Sequence, residues 1–448
     1  MVKDMTSGKP VRLILAFALP LLLGNLFQQV YNMVDSSIVG KFVGKEALAA
    51  VGATGSISFL VIGFATGIAS GFGILVALFF GSGEYDRLRN CVANIIYLSA
   101  GISLVLTVLS VLLTRPMLNW MNTPENIIED SYNYIVIIFA GIAASLFYNV
   151  LANILRALGD SRSPLYFLIV ASLLNVVLDL LFVIAFRMGT AGAGLATVLS
   201  QAVSALLCLF YMKKKMPILH LSRTDFRPDV ALMKRLLALG LPMALQFSIT
   251  AVGTIILQAA VNSLGSDAVA AVTAGNKVQS IVTMPMESLG ITMATFCSQN
   301  LGAGKVQRAN KGVHQCLMIT LIYSVVACIL IRLVGHYIAL LFLDAKELTV
   351  LADVKLFLSI GSLFYPELSV LFVYRNSIQG LGYSVPAMAA GVFELVARAG
   401  ISFLFVYRLG FTAACYAAPI AWVAAIILLI PVYYYTIHKL KKREFSIR

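Results

Sequence analysis

The second half of this 448-residue chain repeats the first half at an offset of about 221 residues. The segment LAFALPLLLG, which starts at Leu15, matches LALGLPMALQ, which starts at Leu237, and this match pairs Pro20 with Pro242. Three further pairs keep a similar register: VGKEALAAVGA with LGSDAVAAVTA, GSGEYDRLRN with GAGKVQRANK, and NILRALGDSRSP with NSIQGLGYSVP. A repeat this long, written in apolar residues, is typical of membrane proteins built from two equivalent helical bundles with a site between them.

Composition indicates that both copies of the repeat lie in a membrane. Hydrophobic residues make up 60% of the chain and charged residues 12%, whereas globular domains average about 25% charged residues. A run of about 20 apolar residues crosses the ~30 Å hydrocarbon core as a helix and satisfies its own backbone groups there. The chain contains twelve such runs, six in each half: 13–38, 49–80, 92–113, 132–155, 165–186, 193–211, 236–264, 268–301, 316–334, 350–374, 385–407 and 412–435.

The twelve runs predict an all-α polytopic membrane protein with 12 transmembrane helices in two pseudo-symmetric six-helix bundles. Because each half holds an even number of spans, both halves enter the membrane in the same direction and form parallel repeats. We expect an N-lobe at residues 1–212, a cytoplasmic linker at 213–235 and a C-lobe at 236–448.

The net charge of +13 is explained by membrane topology. With both termini placed in the cytoplasm, the inner segments hold 23 Lys and Arg, the outer segments hold eight, and Lys277 and Arg398 lie within spans. Positive residues concentrate on the cytoplasmic side of membrane proteins. The charge therefore predicts a chain that contacts the lipid bilayer, with both termini inside and no nucleic-acid partner.

The segments outside the spans leave no room for catalysis. The longest polar segment is the linker at 213–235, of about 23 residues, which is too short for a catalytic or nucleotide-binding domain. The GAGK segment at 302–305 lacks the earlier glycine and the following hydroxyl residue of a phosphate loop. The six cysteines form no close pair, which argues against disulfides and zinc. We expect neither enzymatic activity nor a cofactor.

Ionisable residues within spans are costly in a bilayer and indicate function. Asp35 lies six residues before Lys41, and Asp179 lies eight before Arg187, so we expect both carboxylates roughly 9 to 12 Å below the same membrane boundary. Amide and hydroxyl oxygens are offered nearby by Asn175, Asn149, Tyr134 and Thr197. Such a set suits a sodium ion or a proton. In the alternative interpretation, Asp35 lies in interfacial water, while Asp179 and the neutral groups only join neighbouring helices.

The second half carries a different set of charges. Glu367 lies eight residues before Arg375, and Glu394 lies eight after Pro386, which predicts that the two glutamates share a depth in the inner half of the membrane. Arg398 follows Glu394 at the i+4 spacing that supports an ion pair on one helix. Two further charged residues lie on the eighth span: Glu287 and Lys277. The set is either a structural salt-bridge network or a gate that contacts the substrate.

Glycine and proline suggest how the spans pack. Gly63, Gly67 and Gly71 recur every four residues in the second span, a spacing that lets helices approach closely. Pro20 and Pro242, at equivalent positions of the first and seventh spans, can loosen their helices.

Several segments resemble the multidrug and toxic compound extrusion (MATE) family. They are the LP pairs of the first and seventh spans, MVDSSIVGKFVG ending the first span, the GSG and GAG turns, RALGDSRSP, NVVLD in the fifth span and AGAGLATVLSQ opening the sixth. The likeness covers nearly the whole chain, and its motifs occur in order.

The resemblance implies a secondary active transporter with two lobes around a central cleft. Such a protein exports cationic or amphipathic drugs or toxic metabolites by Na⁺ or H⁺ antiport with alternating access. It implies a bacterial plasma membrane, and we expect a monomer. The family's first-lobe cation site falls on Asp35, Asn175, Asp179 and Thr197, with Asn149 and Tyr134 nearby. If the ion is Na⁺, Asp35 and Asp179 are metal ligands.

The chain also departs from part of the family. One branch has a carboxylate in the middle of the seventh span, where this chain has Ser248, Ile249 and Thr250. Coupling through the first lobe is therefore favoured, as is the branch that resembles the DNA-damage-inducible bacterial exporters. A lipid-linked oligosaccharide flippase of the same superfamily is the alternative. Such flippases line the cleft with many cationic residues, whereas only Lys277 and Arg398 lie within spans here.

Overall fold

The structure, a computed structural model, describes residues 3–121, 123–339 and 348–447, and most of these residues are helical. The helices of the first half are α1 (Pro10–Phe42), α2 (Lys45–Ala53), α3 (Gly55–Ser82), α4 (Tyr85–Trp120), α5 (Glu125–Ala140), α6 (Ile142–Ala157), α7 (Arg162–Asp179) and α8 (Gly189–Lys215). Those of the second half are α9 (Val230–Asn262), α10 (Ser266–Gly302), α11 (Val306–Ala339), α12 (Leu348–Leu363), α13 (Tyr365–Gly380), α14 (Ser384–Leu404), α15 (Val406–Leu409) and α16 (Phe411–Ile447). A π-helical segment, Leu180–Ala185, links α7 to α8.

The helices account for the predicted spans. Within the described residues, nine helices are long and apolar enough to cross a membrane, and two bent helix pairs bring the number to eleven. The remaining predicted span is α10, a helix of 37 residues. It is not among the eleven, and it carries the charged residues Asp267, Lys277 and Glu287.

Four predicted spans are interrupted, and in the eleventh the break falls at Phe405, between α14 and α15. The fourth bends by 48° between α5 and α6, and the tenth bends by 52° between α12 and α13. At the first bend, a Cβ on Gly141 would lie 2.3 Å from Val198 Cγ1 of α8, so the bend depends on glycine. The second run divides at Thr54, whose hydroxyl donates to the Val51 carbonyl (2.7 Å). Apolar residues continue through this break, which is why hydropathy predicted a single long span.

The turn before α7 is fixed by a buried carboxylate. Asp160 Oδ1 accepts from the backbone N–H groups of Arg162 (3.1 Å) and Ser163 (3.0 Å), and Oδ2 accepts from the Ser163 hydroxyl (2.7 Å). Burial alone would raise the pKa of Asp160, but these hydrogen bonds hold it below its ordinary value. The RALGDSRSP motif thus ends one span and caps the next.

The chain forms two compact units. The first consists of Leu23–Ser248 with the N-terminal residues up to Asp4, and the second consists of Met5–Leu22 and Ile249–Arg448. Their boundaries lie inside α1 and α9, shortly after Pro20 and Pro242. The lobes predicted from the sequence were instead divided at the linker 213–235.

Contacts within each unit explain the difference. In the first unit the linker lies against α4, where the Asn90 amide donates to the carbonyls of Asp225 (2.9 Å) and Arg227 (3.0 Å). In the second unit, Phe17 from the first half of α1 belongs to the same buried cluster as Phe296 of α10. The early turns of α1 therefore pack with the helices of the second repeat.

A glycine seam joins α3 to the first half of α9 within the first unit. A Cβ on Gly67 would lie 2.6 Å from the Cα of Ala244, and one on Gly71 would lie 2.4 Å from the Cα of Gly240. The two helices therefore meet backbone to backbone, which confirms that these glycines serve close packing.

Candidate functional site

Two buried carboxyl groups meet in the first unit. Asp35 lies on α1 with 7% of its surface exposed, and Asp179 is the last residue of α7 with 0% exposed. The two side chains are within hydrogen-bonding reach of each other. The structure thus brings the two predicted carboxylates together. Two carboxyl groups in contact need a proton or a cation between them, because like charges at this separation repel strongly.

Asn175 and Thr197 complete the surroundings of Asp179. With its amide oriented to suit its partners, the Asn175 Nδ2 donates to Asp179 Oδ2 (2.7 Å) and its oxygen accepts from the backbone N–H of Thr197 (3.2 Å). The Thr197 hydroxyl donates to the Ala193 carbonyl (3.1 Å). The structure therefore brings together all four residues of the predicted cation site: Asp35, Asn175, Asp179 and Thr197.

Tyr31 is a neighbour that the sequence analysis missed. Its hydroxyl lies 3.4 Å from Thr197 Oγ1, and on α1 it precedes Asp35 by one helical turn. The i, i+4 spacing of two polar residues in an apolar helix was the available signal, since such residues lie on the same face.

Of the two residues predicted to lie nearby, the structure brings one to the carboxylates. Tyr134 of α5 is 8% exposed and close enough to interact electrostatically with both Asp35 and Asp179. Asn149 of α6 instead donates its amide to the Ser145 carbonyl of its own helix (2.8 Å).

The chemistry of this cluster suits a small monovalent cation or a proton. Oδ1 of Asp35 and Oδ1 of Asp179 are both buried without a hydrogen-bond partner in the described part of the chain. Carboxylate, amide and hydroxyl oxygens are ligands for hard cations, and the described residues contain no group of three His, Cys, Asp or Glu that could hold a metal. The π-helical segment begins directly after Asp179, and such segments often occur at functional sites.

The charges of the second unit differ from the prediction in two respects. Glu394 forms its ion pair with Arg375 of α13, not with Arg398 one turn along α14. The predicted tenth span ended at residue 374, but α13 continues to Gly380, and Arg375 is buried inside the bundle. The predicted common depth of Glu367 and Glu394 stays a prediction.

The two charges of α10 lie apart. Lys277 and Glu287 are both exposed, and their ten-residue separation corresponds to roughly 15 Å along the helix. The neighbours of Glu287, Met286 and Ser288, are fully buried, so the carboxylate lies on the accessible side of an otherwise packed helix.

Comparison with known proteins assigns the fold and the family. The family model described as MatE matches residues 20–181 and 242–404, one copy on each half of the repeat. The solved structure "Crystal structure of MATE in complex with MaL6" superposes with a TM-score of 0.91 at 23% identity, covering 98% of this chain and 99% of the other. The "Outward-facing conformation of a multidrug resistance MATE family transporter of the MOP superfamily" gives a TM-score of 0.90. These likenesses confirm the predicted fold class of 12 spans in two bundles.

Relatives that are named as multidrug resistance proteins or as a transporter match most of the chain. "Probable multidrug resistance protein YoeA" of Bacillus subtilis is 33% identical over 77% of this chain and 76% of its own length. "Probable multidrug resistance protein YpnP" of the same organism is 29% identical over 85% of this chain and 84% of its own. The FAD transporter of Shewanella oneidensis is 23% identical over 86% of this chain and 85% of its own.

Proposed function

Because this chain belongs to the MATE family, we propose that it is a secondary active exporter of cationic or amphipathic organic compounds, driven by Na⁺ or H⁺ antiport with alternating access. The family is one of multi-pass membrane transporters and not of enzymes. The coupling ion, the substrate class and the residues that bind them are the content of the proposal.

The carboxyl pair of Asp35 and Asp179 is the observation that carries the coupling. A proton or a Na⁺ ion bound there is held by two buried carboxyl groups, and electrostatic interactions are stronger at buried positions than in water. Release of the ion leaves two like charges in contact, and the strong repulsion between them favours rebinding of a cation or a change of conformation. Such a site can therefore couple the occupancy of an ion to the state of the transporter.

The substrate class is proposed from two features. The relatives named for multidrug resistance make small organic molecules the expected cargo. Glu287 offers an exposed carboxylate on α10, which would attract the positive end of an amphipathic compound. We further propose a monomer in the bacterial plasma membrane with both termini in the cytoplasm, since the distribution of Lys and Arg favours that orientation.

Transport in proteoliposomes tests the coupling. The purified protein would be reconstituted with ethidium as a cationic probe, and its movement would be followed by fluorescence after a Na⁺ jump or a pH jump. We expect a response to one of the two gradients, and we expect Asp35→Asn and Asp179→Asn each to abolish it. Both variants should fold normally, because replacing one acid of a touching pair removes repulsion.

Asp267→Asn is the matched control, since Asp267 is exposed at the start of α10 and should leave the response unchanged. Gradient-driven transport that persisted in Asp35→Asn would overturn the coupling site. Transport that required neither gradient would overturn the antiport itself.

A further inference from the structure

The linker of residues 213–235, within the first unit, concentrates positive charge. It contains seven basic and two acidic residues, which gives a net charge of +5 with His220 neutral. All seven basic side chains are exposed, and no ion pair among the described residues includes any of them. They are Lys213 to Lys215, Arg223, Arg227, Lys234 and Arg235. The linker therefore presents a positive surface whose counter-charges the described part of the chain does not supply.

Both acidic residues of the linker have other partners. Asp225 Oδ2 accepts from the backbone N–H and from the hydroxyl of Ser222, at 2.7 Å each, and lies 3.7 Å from Arg89 Nε of α4. Asp229 Oδ1 accepts from the backbone N–H of Leu232 (3.0 Å) and so caps the start of α9. Because the two carboxylates serve these contacts, the charges of the seven basic side chains stay uncompensated.

The turn between α3 and α4 shows a different balance of charge. There Arg87 pairs with Glu84 (2.9 Å), and Arg89 pairs with Asp86. These i, i+3 pairs compensate each basic side chain within its own turn. The preference for basic residues on the cytoplasmic side accounts for their number in both segments, but it does not require that those of the linker stay unpaired.

The linker is held in place by the helices around it. Met216 and Leu219 are buried in the hydrophobic cluster of the first unit. The His220 ring donates to the Lys213 carbonyl (2.7 Å), which folds the chain back onto the last turn of α8, and the Asn90 amide holds two further carbonyls of the linker. A surface that is already ordered loses little conformational freedom when a partner binds it.

An aromatic contact places the linker beside the lipid-facing side of α4. The rings of Phe226 and Tyr97 meet edge to face with centroids 6.2 Å apart, and the Tyr97 hydroxyl donates to the Phe226 carbonyl (3.1 Å). Leu104, seven residues after Tyr97, lies on the same face of α4 and is 66% exposed, as expected of an apolar side chain that meets lipid. Because tyrosine is enriched at the membrane–water interface, this contact indicates that the linker lies at the level of the lipid headgroups.

We propose that the exposed side chains of residues 213–235 form a docking surface for anionic phospholipids. Headgroup phosphate oxygens accept hydrogen bonds from ammonium and guanidinium groups, and a basic segment directly beside a span attracts negatively charged lipids. Phe226 and Tyr97 add an apolar edge that suits the region between headgroup and acyl chain. The surface is distinct from the cation cluster of Asp35 and Asp179 and does not depend on the proposed transport cycle.

Thermal unfolding of the purified full-length protein in mixed micelles tests the proposal, because a ligand that binds the folded state raises the unfolding midpoint saturably. Dioleoylphosphatidylglycerol, dioleoylphosphatidylcholine and glycerol 3-phosphate would be titrated in turn into a non-ionic detergent. The second has the same acyl chains but a headgroup without net charge, and the third is a phosphate without acyl chains. We expect saturable stabilisation by phosphatidylglycerol alone, and we expect high ionic strength to weaken it.

The triple variant Lys213→Gln/Lys214→Gln/Lys215→Gln removes three exposed charges from the docking surface. Its apparent Kd for phosphatidylglycerol should rise roughly tenfold or more. Arg223→Gln/Arg227→Gln is a second, independent variant that removes two charges from the middle of the linker, and its Kd should rise by a smaller factor.

Arg87→Gln/Lys311→Gln/Lys442→Gln is the matched control for the triple variant. It removes the same number of exposed basic side chains, but from α4, α11 and α16, and its Kd should stay close to that of the unsubstituted protein.

Equal Kd values for the unsubstituted protein and the linker variants would overturn the docking surface, and so would equal increases in the triple variant and its control. Stabilisation by phosphatidylcholine or by glycerol 3-phosphate that matched the effect of phosphatidylglycerol would overturn the assignment to anionic lipid. Because the measurement involves no ion gradient and no transport, it fails or succeeds independently of the proposed antiport.

Discussion

Two clusters of buried side chains, one in each compact unit, hold unequal numbers of positive and negative charges. Asp35 and Asp179 bring two potential negative charges into contact, which a cation or a proton neutralises. Glu394 pairs with Arg375, and no ion pair among the described residues includes the buried Arg398, which leaves one positive charge. Buried groups of this kind are stable only when a partner or ligand offsets the cost of removing them from water.

The excess of positive charge predicts an unequal response to removing the acid or one of the bases. Glu394→Gln leaves two buried guanidinium groups and should destabilise the protein by about 3–5 kcal/mol. Arg375→Gln should cost clearly less, because Glu394 can then pair with Arg398 at the i+4 spacing. Thermal unfolding midpoints in detergent, at equal protein concentration, measure the order.

Arg115→Gln is the control for loss of an ion pair that is exposed to water, since Arg115 pairs with Glu129 at the surface. Surface pairs contribute little to stability, so its unfolding midpoint should stay near that of the unsubstituted protein. If Arg375→Gln proved at least as destabilising as Glu394→Gln, the proposed charge balance would be wrong.

At the scale of the helices, bends and close approaches are set by small residues at particular positions. Gly141 allows α8 to pack against the break between α5 and α6, and Gly67 and Gly71 allow α9 to touch α3. Glycine spacing at i, i+4 indicated the second feature. The bends could not be predicted in the same way. Apolar residues continue through Gly141 and Phe364, and the spacing of apolar residues is the same in a straight helix and in one that changes direction.

The glycine seam between α3 and α9 predicts that Gly67 and Gly71 tolerate replacement by alanine far less well than Gly63, although all three lie on α3. Gly67→Ala and Gly71→Ala place a methyl group 2.6 and 2.4 Å from backbone atoms of α9, so the helices must separate. Overpacking of this kind typically costs about 1–3 kcal/mol, and both variants should unfold at lower temperature and accumulate less in the membrane.

Gly63→Ala is the control for this prediction, because Gly63 lies at the same four-residue spacing on α3. Its Cβ would lie 3.5 Å from the Cβ of Phe247, an ordinary contact, and the more favourable helix propensity of alanine should leave stability unchanged or slightly raised. Equal losses of stability in Gly63→Ala and Gly71→Ala would show that the spacing, and not the backbone contact, determines tolerance.

For the whole molecule, repetition and hydropathy predict much of the architecture. The offset between Pro20 and Pro242 predicted two equivalent halves, and the family model matches once on each. The two carboxylates of the cluster could be singled out from the sequence, because charged residues within spans are few and depth can be counted from the boundaries, whereas the complete set with Asn175 and Thr197 was implied by the family resemblance. Partner choice across helices was not predictable, since sequence spacing suggested Arg398 for Glu394 and only the packing of α13 against α14 selects Arg375. The compact units follow contacts that sequence order does not show, since residues 10–22 of α1 pack against residues far away in sequence.

Orientation in the membrane is the remaining property of the whole chain that charge predicts. With 23 Lys and Arg assigned to inner segments and eight to outer segments, positions 214 and 441 should face the cytoplasm and positions 41 and 126 the outside. Single substitutions Lys214→Cys, Lys441→Cys, Lys41→Cys and Asn126→Cys would be probed in intact cells with an impermeant thiol reagent. Five of the six native cysteines are buried and Cys328 is half-buried, so the substitutions would be made in a Cys328→Ser protein to keep labelling of native cysteines low. We expect labelling at 41 and 126 only, and labelling of all four positions after the cells are permeabilised. The reverse pattern in intact cells would place Asp35 and Asp179 near the cytoplasmic side, and a cation entering their site from outside would then have to cross most of the membrane first.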